Sequence, residues 1–284
     1  MFRILTYNIL HGGRGRSQHI AAVINACAPD LVLVQEATHP AILGQIADAT
    51  GMAEFHSYPR QSLGFMSRRP VSLSKWTRPR ISRHAFIEVV PAGEEVRVFG
   101  VHLSAVHAAW TERRRVMELR ALLRSVAEHQ HGFHVLCGDF NTVAPDEPLD
   151  MMRLPLRLRP LVWLSGGKIR WRTVQTVLDA GYVDAFRLRH PSEPGHTLPT
   201  IDPHIRLDYV FVPRQFADRV AACNVVRHPE AVRASDHFPV VADLLTAKDA
   251  RQNPEVQDHA DQEQGTAAEV RAAARRGEDL GRDL

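Results

Sequence analysis

Apolar and polar positions along the first half of the chain change period repeatedly, from two to about 3.6 and back. Residues 3–7 read as extended, Ser17–Cys27 as helical, Leu31–Gln35 as extended and residues 40–49 as helical. Ser17 is placed to cap the first helix and Pro29 to close it. Extended stretches are expected at 64–67, 85–90 and 96–103. A long helix follows over about 110–129, with Val116, Leu119, Leu123 and Val126 on one face, so its apolar stripe should pack on a sheet. Then come a strand at 133–137, an irregular stretch to Trp171, a short helix near 173–180, and strands near 207–212, 220–226 and 239–244. Helices early and strands late predict α/β or α+β layering.

Composition narrows this picture only a little. The chain has 284 residues, 44% hydrophobic and 24% charged, the profile of a soluble globular protein. Its longest apolar runs, 31–34 and 210–212, are strand-sized and far short of a membrane span. The amino terminus lacks the pattern of a secretory signal, and a cytoplasmic protein is expected. Cys27, Cys137 and Cys223 form an odd set without metal-ligand spacing, which predicts free, buried thiols. The net charge of +3 hides an asymmetry. From Ala247 onward there are six Lys/Arg against nine Asp/Glu and no aromatic residue, leaving residues 1–246 with 29 basic and 23 acidic groups, a net +6. A folded domain over 1–246 and a charged, disordered tail over 247–284 follow from this division. The basic body suits an anionic substrate.

The chemistry is carried by polar residues at the ends of apolar strands, rigid places from which to aim a side chain into a cleft. Asn8 follows Ile4-Leu5-Thr6-Tyr7, Glu36 follows Leu31-Val32-Leu33-Val34-Gln35, and His102 follows Phe99-Gly100-Val101. Asp139 and Asn141 follow Val135-Leu136-Cys137-Gly138, Asp208 sits within Arg206-Leu207-Asp208-Tyr209-Val210, and Asp236-His237 precedes Phe238-Pro239-Val240. Singly, each is an ordinary turn former or cap. Together they make a hard, oxygen-rich metal site with acid and base groups beside it.

Thr6-Tyr7-Asn8-Ile9, Gln35-Glu36, Val101-His102-Leu103, Gly138-Asp139-Phe140-Asn141-Thr142, Leu207-Asp208-Tyr209-Val210-Phe211 and Ser235-Asp236-His237-Phe238-Pro239-Val240 resemble, in order, the motifs of the endonuclease/exonuclease/phosphatase family. The resemblance runs from Thr6 to about Leu245. It implies a four-layer sandwich, two β-sheets packed face to face with helices outside, and a catalytic site at one end of the sheets. The family includes pancreatic-type deoxyribonucleases, apurinic endonucleases, inositol-polyphosphate phosphatases and neutral sphingomyelinases. A shared machinery does not fix the substrate.

On this reading Glu36 is a direct Mg²⁺ or Mn²⁺ ligand, with Asn8 and Asp236 helping to hold the metal or its water. Asp139 is the favoured base for the attacking water, and the Asp208–His237 pair is the competing one. Asp208 orients His237 in either case. Asn141 donates to the developing phosphorane, and His102 binds phosphate or assists the leaving group. Two departures from the family pattern stand out. Leu63 and Phe65 occupy places where many nuclease and sphingomyelinase members have polar phosphate-binding residues, and His11 stands where apurinic nucleases tend to have an acid.

Two segments are candidates for choosing the substrate. Trp110-Thr111-Glu112-Arg113-Arg114-Arg115 opens the long helix with three bases that oppose the macrodipole, which calls for compensation that Glu112 could supply in part. His107, Trp110 and Arg113 are the expected substrate contacts, against the plainer alternative of a solvated face with local ion pairs. Residues 151–172 interleave arginines with Met, Leu and Trp, as on an anionic membrane surface or along a nucleic-acid strand, or as in a loop capping the sandwich. The function expected is metal-dependent hydrolysis of a phosphodiester, in nucleic acid or a phospholipid headgroup. The alternatives are an inositol- or sugar-phosphate phosphatase and a non-catalytic anionic-ligand binding module on the same fold.

Overall fold

In a computed structural model, which describes residues 1–80, 82, 84–105, 109–129, 131–145, 147, 153, 171–247 and 249, twelve strands pair into two six-stranded sheets. The first has the order β11 (Val220–Val225), β12 (Val240–Leu244), β1 (Phe2–Asn8), β2 (Leu31–Gln35), β4 (Leu63–Ser67), β3 (Glu54–Ser57). The second runs β5 (Val71–Thr77), β6 (Phe86–Pro91), β7 (Arg97–His102), β8 (His134–Asp139), β10 (Asp208–Pro213), β9 (Tyr182–Asp184). In each sheet one parallel pair, β1–β2 or β7–β8, lies among antiparallel neighbours.

Alternation along the strands explains the layers. Ile4, Leu31, Leu33, Leu63 and Phe65 of the first sheet meet Val98, Val135, Cys137, Val210 and Val212 of the second in one buried core. The intervening residues Leu5, Tyr7, Val32 and Val34 face α1 (Ser17–Cys27) and α2 (Pro40–Thr50). On the far side, Phe99, Val101, Leu136, Tyr209 and Phe211 face α3 (Ala109–Val126) and α4 (Arg172–Asp179). The central strands are apolar on both faces because both faces are covered. This is the expected four-layer sandwich. Removing a large side chain from the middle core would cost about 2–5 kcal/mol.

Several local expectations change. Ser17 is the first residue of α1 rather than its cap; Arg16 holds the cap position without a side-chain bond. The helix ends on Ala28 in the left-handed conformation, whose N–H reaches Ile24 O and Asn25 O, and Pro29 follows. The long helix stops at Val126 and finishes in a 3-10 turn, Ala127–His129. Strands β3, β5 and β9 escape the sequence pattern, as do two short helices. These are α5 (Ala185–Arg189), capped by Asp184 on the N–H groups of Phe186 and Arg187, and α6 (Ala231–Ala234). Of the 151–172 segment only Arg153, Trp171 and Arg172 are among the described residues, and of the tail only Ala247 and Asp249. The elements named here belong to one compact unit, Met1–Leu244. No helix of the described residues is long and apolar enough to cross a membrane. The three cysteines are free and buried, as expected.

One buried imidazole links packing to pH. His134 opens β8 with Nδ1 donating to Gly132 O (2.8 Å) and Nε2 accepting from the Tyr182 hydroxyl (2.6 Å), an arrangement of the neutral ring. Burial holds its pKa below the ordinary value of 6.5. The unfolded chain therefore takes up this proton first as pH falls, so the contribution of His134 to stability is flat above about pH 6.5 and declines below it. The Tm advantage of the wild-type protein over His134→Gln should narrow between pH 7.5 and 5 in thermal melts; an advantage independent of pH would refute this.

Candidate active site

Register brings the first three candidates into a row. In the second sheet His102 lies opposite Asp139 across the parallel β7–β8 pair, and Asp208 opposite Asp139 across the antiparallel β8–β10 pair. The row depends on Gly138, whose φ is +143° and where a Cβ would lie 2.0 Å from Val101 O. Only glycine lets the two backbones approach this closely just before Asp139.

Asp139 is buried and well held. Its Oδ1 accepts from Asn141 N (2.8 Å), its Oδ2 accepts from Asn8 Nδ2 (3.1 Å), and His102 Nε2 stands 3.7 Å from Oδ2. Burial, together with the neighbouring Asp208 carboxylate, pushes its pKa up to about 7, against the opposing influence of His237. Asn141 has a left-handed backbone (φ 51°) and donates from Nδ2 to Leu103 O at 3.0 Å.

The first sheet contributes from the opposite side. Glu36, just past β2, also has a positive φ of 59° and gives its N–H to Ser62 O (2.8 Å). One carboxylate oxygen lies 3.4 Å from Asn8 Nδ2 and the other accepts the backbone N–H of His11. Asn8 thus spans the Glu36 and Asp139 carboxylates, while its Oδ1 accepts from Leu10 N at 3.0 Å. Left-handed conformations at Leu10, His11, Glu36 and Asn141 gather around this end of the sheets, strain of the kind that ordered sites retain.

His237 completes the group. Ser235 Oγ ties this segment to β1 through Asn8 O (2.7 Å) and accepts the His237 N–H (3.2 Å). His237 Nδ1 donates to Asp208 Oδ2 at 2.8 Å. Burial disfavours the imidazolium, but the charge and hydrogen bond of Asp208, with Asp139 and Asp236 beyond it, push its pKa up to about 10. Asp139, Asp208 and His237 each offer a ligand atom within 4.8 Å of the others, and Asp208 Oδ1 is buried with no hydrogen-bond partner among the described residues. Asp236 is half-buried; its carboxylate accepts from Ser235 Oγ (3.4 Å) and no hydrogen bond joins it to Asn8 or Glu36.

The outlying candidates fare differently. His107 lies outside the described residues. Trp110 is 58% exposed and Arg113 is exposed on the same helix. The basic run is compensated as the sequence suggested: buried Arg115 pairs with Glu112 (2.7 Å) and donates to Ser104 O (2.8 Å), and Arg114 pairs with Glu118 (3.4 Å). Glu112 also receives Thr173 N and Oγ1, at 2.7 and 2.9 Å, which docks α4 on α3. Leu63 and Phe65 are buried between the sheets. The polar residue on that strand's approach is Ser62, missed from sequence, whose Oγ lies 2.6 Å from His102 Nδ1. His84, also missed, stacks on His102 with ring centroids 4.8 Å apart. Ser62 stands immediately before a buried strand and could have been found on that ground; His84 carries no such signal.

The model of the Endonuclease/Exonuclease/phosphatase family matches residues 5–237. Similar solved structures include a 3′-5′ exonuclease from Neisseria meningitidis (22% identity, TM-score 0.68, 86% of this chain and 99% of that one). Others are a 3′ phosphatase from Neisseria bound to a product DNA hairpin (20%, 0.68, 86% and 100%) and an AP endonuclease from Archaeoglobus fulgidus (20%, 0.65, 86% and 99%). At these identities the likeness is one of fold. Among curated proteins no match is found.

The close approach at Gly138 has a direct consequence. Gly138→Ala should lower Tm by about 4 °C or more, since a Cβ there forces β7 and β8 apart. A melting curve that superimposes on wild type would show that the strands do not need this contact.

Proposed function

The chain belongs to the endonuclease/exonuclease/phosphatase family, and we propose from that membership and from its site that it is a divalent-metal-dependent phosphoesterase hydrolysing a phosphodiester by attack of an activated water. The observation that carries the proposal is the geometry of the buried neighbours: Asp139, Asp208 and His237 offer ligand atoms within 4.8 Å of one another, His237 holds Asp208 at 2.8 Å, and Asn8 joins Asp139 to Glu36.

Enzymes of this family use divalent metals. The residues present fit such an ion: Glu36 and Asp236 are hard carboxylates, Glu36 is 23% open to solvent, and nearby Asp208 Oδ1 is buried with no hydrogen-bond partner among the described residues. Glu36, with Asn8 and Asp236, would hold Mg²⁺ or Mn²⁺, which supplies a Lewis acid for a phosphoryl oxygen when bound. Asp139 takes the proton of the attacking water as its oxygen bonds to phosphorus and the P–O ester bond opens. A carboxylate near 7 is matched to that task, whereas an imidazole near 10 is already protonated at neutral pH and serves as a cation on the phosphate. This favours Asp139 over the Asp208–His237 pair as base. Asp208 orients His237, Asn141 donates to the developing phosphorane, and His102 binds the phosphate or returns a proton to the leaving oxygen.

Trp110 and Arg113 are assigned to the rim as substrate contacts. Nucleic acid is the first substrate class to test, because the similar structures include a 3′-5′ exonuclease and a 3′ phosphatase holding a DNA hairpin; a phospholipid headgroup on an anionic membrane surface is the second. The free buried thiols suit the cytoplasm as its compartment.

Purified protein with Mg²⁺ or Mn²⁺ should hydrolyse at least one of plasmid DNA, abasic oligonucleotide, sphingomyelin, inositol phosphates or bis(p-nitrophenyl) phosphate. Glu36→Ala, Asp139→Asn and His237→Ala should each lose roughly 100-fold or more in kcat/KM. Activity that persists in these variants or in EDTA overturns the mechanism. Arg113→Ala should raise KM several-fold for the best substrate, and an unchanged KM removes Arg113 from the rim.

A further inference from the structure

The stretch before the His102 strand carries a second feature that the site does not use. Residues 55–87 contain no Asp or Glu and seven Lys/Arg. Arg68 and Arg69 have structural work: Arg68 donates to Pro29 O and Thr50 O, and Arg69 pairs with Glu94 and Asp30. Arg60, Arg78 and Arg80 are exposed and none of them pairs with a carboxylate among the described residues, Arg78 donating to Ser82 O (3.3 Å), while Lys75, opposite Glu88 in the β5–β6 register, points to the other face of its sheet from Trp76. Within the same stretch three rings form a cluster: His56 and Tyr58 with centroids 4.6 Å apart, His56 and Trp76 at 5.2 Å, and Tyr58 and Trp76 at 5.0 Å. His56 is exposed and Tyr58 is 43% exposed, while Trp76 is fixed beneath them by Nε1 on Leu63 O (3.3 Å) and by the core.

Topology explains why they meet. β3 is an edge of the first sheet and β5 an edge of the second, and Glu54 Oε2 accepts Val71 N (3.1 Å) across the seam. Basic residues alone would be ordinary protection for two open edges. Edge protection gives no reason to leave rings partly in water, where their burial would be favourable.

Resting on the phosphoesterase reading, we infer that the His56–Tyr58–Trp76 cluster is a stacking platform for an unpaired nucleobase, and that Arg60, Arg78 and Arg80 track the strand's phosphates, so that the substrate is nucleic acid with a single-stranded portion. Aromatic faces interleaved with unpaired cations are the chemistry that holds a single strand without reading its sequence. The platform is also in reach of the reacting centre. Tyr58 stands four residues before Ser62, whose carbonyl accepts the Glu36 N–H and whose hydroxyl meets His102, a separation of at most about 14 Å along the chain.

The test is fluorescence anisotropy of a labelled single-stranded oligonucleotide with the full-length protein in EDTA, so that nothing is cleaved. Tyr58→Ala should weaken binding roughly 5- to 150-fold and Tyr58→Phe should restore most of it. Arg60→Ala should weaken binding and flatten its salt dependence. Arg124→Ala, which removes an exposed charge from α3, sets the baseline for a non-specific loss. Melting curves report on folding, and Trp76→Phe, which keeps the packing, should reduce the tryptophan quenching on oligonucleotide addition below that of wild type. The proposal fails if Tyr58→Ala and Arg60→Ala lose no more than Arg124→Ala. It also fails if these variants lose binding to anionic phosphatidylserine vesicles but not to the oligonucleotide. Binding in EDTA is independent of turnover, so absence of hydrolysis by the intact protein sinks the catalytic reading alone, and unchanged binding in Tyr58→Ala sinks the platform alone.

Discussion

The backbone contact between Gly138 and Val101 is the constraint on which the site depends. Parallel neighbours β7 and β8 end together only because no side chain intervenes there, and β10 then takes its register from β8. Three candidate groups on three adjacent strands need no separate placement once this register is set. His102, Asp139 and Asp208 are aligned by the ladder itself, and rigidity of the sheet replaces the ordering that a loop-built site would require of each side chain. The middle core matters for the same reason: Asn8 and Glu36 come from the other sheet, so the packing of the two sheets sets how closely their side chains approach Asp139.

Burying two carboxylates and an imidazole is costly unless each charge is compensated. Here compensation is graded rather than complete. Asp208 is engaged with His237 through one oxygen while its other oxygen has no hydrogen-bond partner among the described residues, and Asp139 is hydrogen-bonded by the amides of Asn8 and Asn141 with the His237 imidazole within 4.8 Å. That asymmetry separates the two protonation equilibria, pushing a carboxyl toward neutrality and an imidazole away from it. Environments that divide neighbouring groups into a proton acceptor and a fixed cation are how one fold assigns acid and base roles at neutral pH.

Much of this was legible in the sequence, and for a physical reason. Strands covered on both faces read as apolar runs, so a polar residue at the end of such a run is conspicuous; Asn8, Glu36, His102, Asp139 and Asp208 were all visible in this way. The edge strands were not. β5, Val-Ser-Leu-Ser-Lys-Trp-Thr, is largely exposed and its pattern owes little to a core, and β3 has only four residues. Position along the chain gave no hint that His84 stacks on His102, or that Arg115 is buried against Glu112 while Arg113, two residues earlier, is exposed. A helix start rich in arginine looks the same whether its charges face water or a neighbouring helix. The partners that settle it, Thr173 and Ser104, lie far away or on another element.

The segment from β3 to Ser62 shows how an edge can be tied to a centre. β3 supplies the ring of His56, the following turn supplies Tyr58 and closes with Gln61 N on Tyr58 O (3.0 Å), and Ser62 then enters the site between Glu36 and His102. A strand interior could not do this, because its residues alternate between two covered faces. An edge strand has one side free, and a short turn from it can present rings to solvent and still deliver the next polar residue to the buried end of the sheets. Exposed apolar surface and the polar site are therefore consequences of the same chain path, and moving one would displace the other.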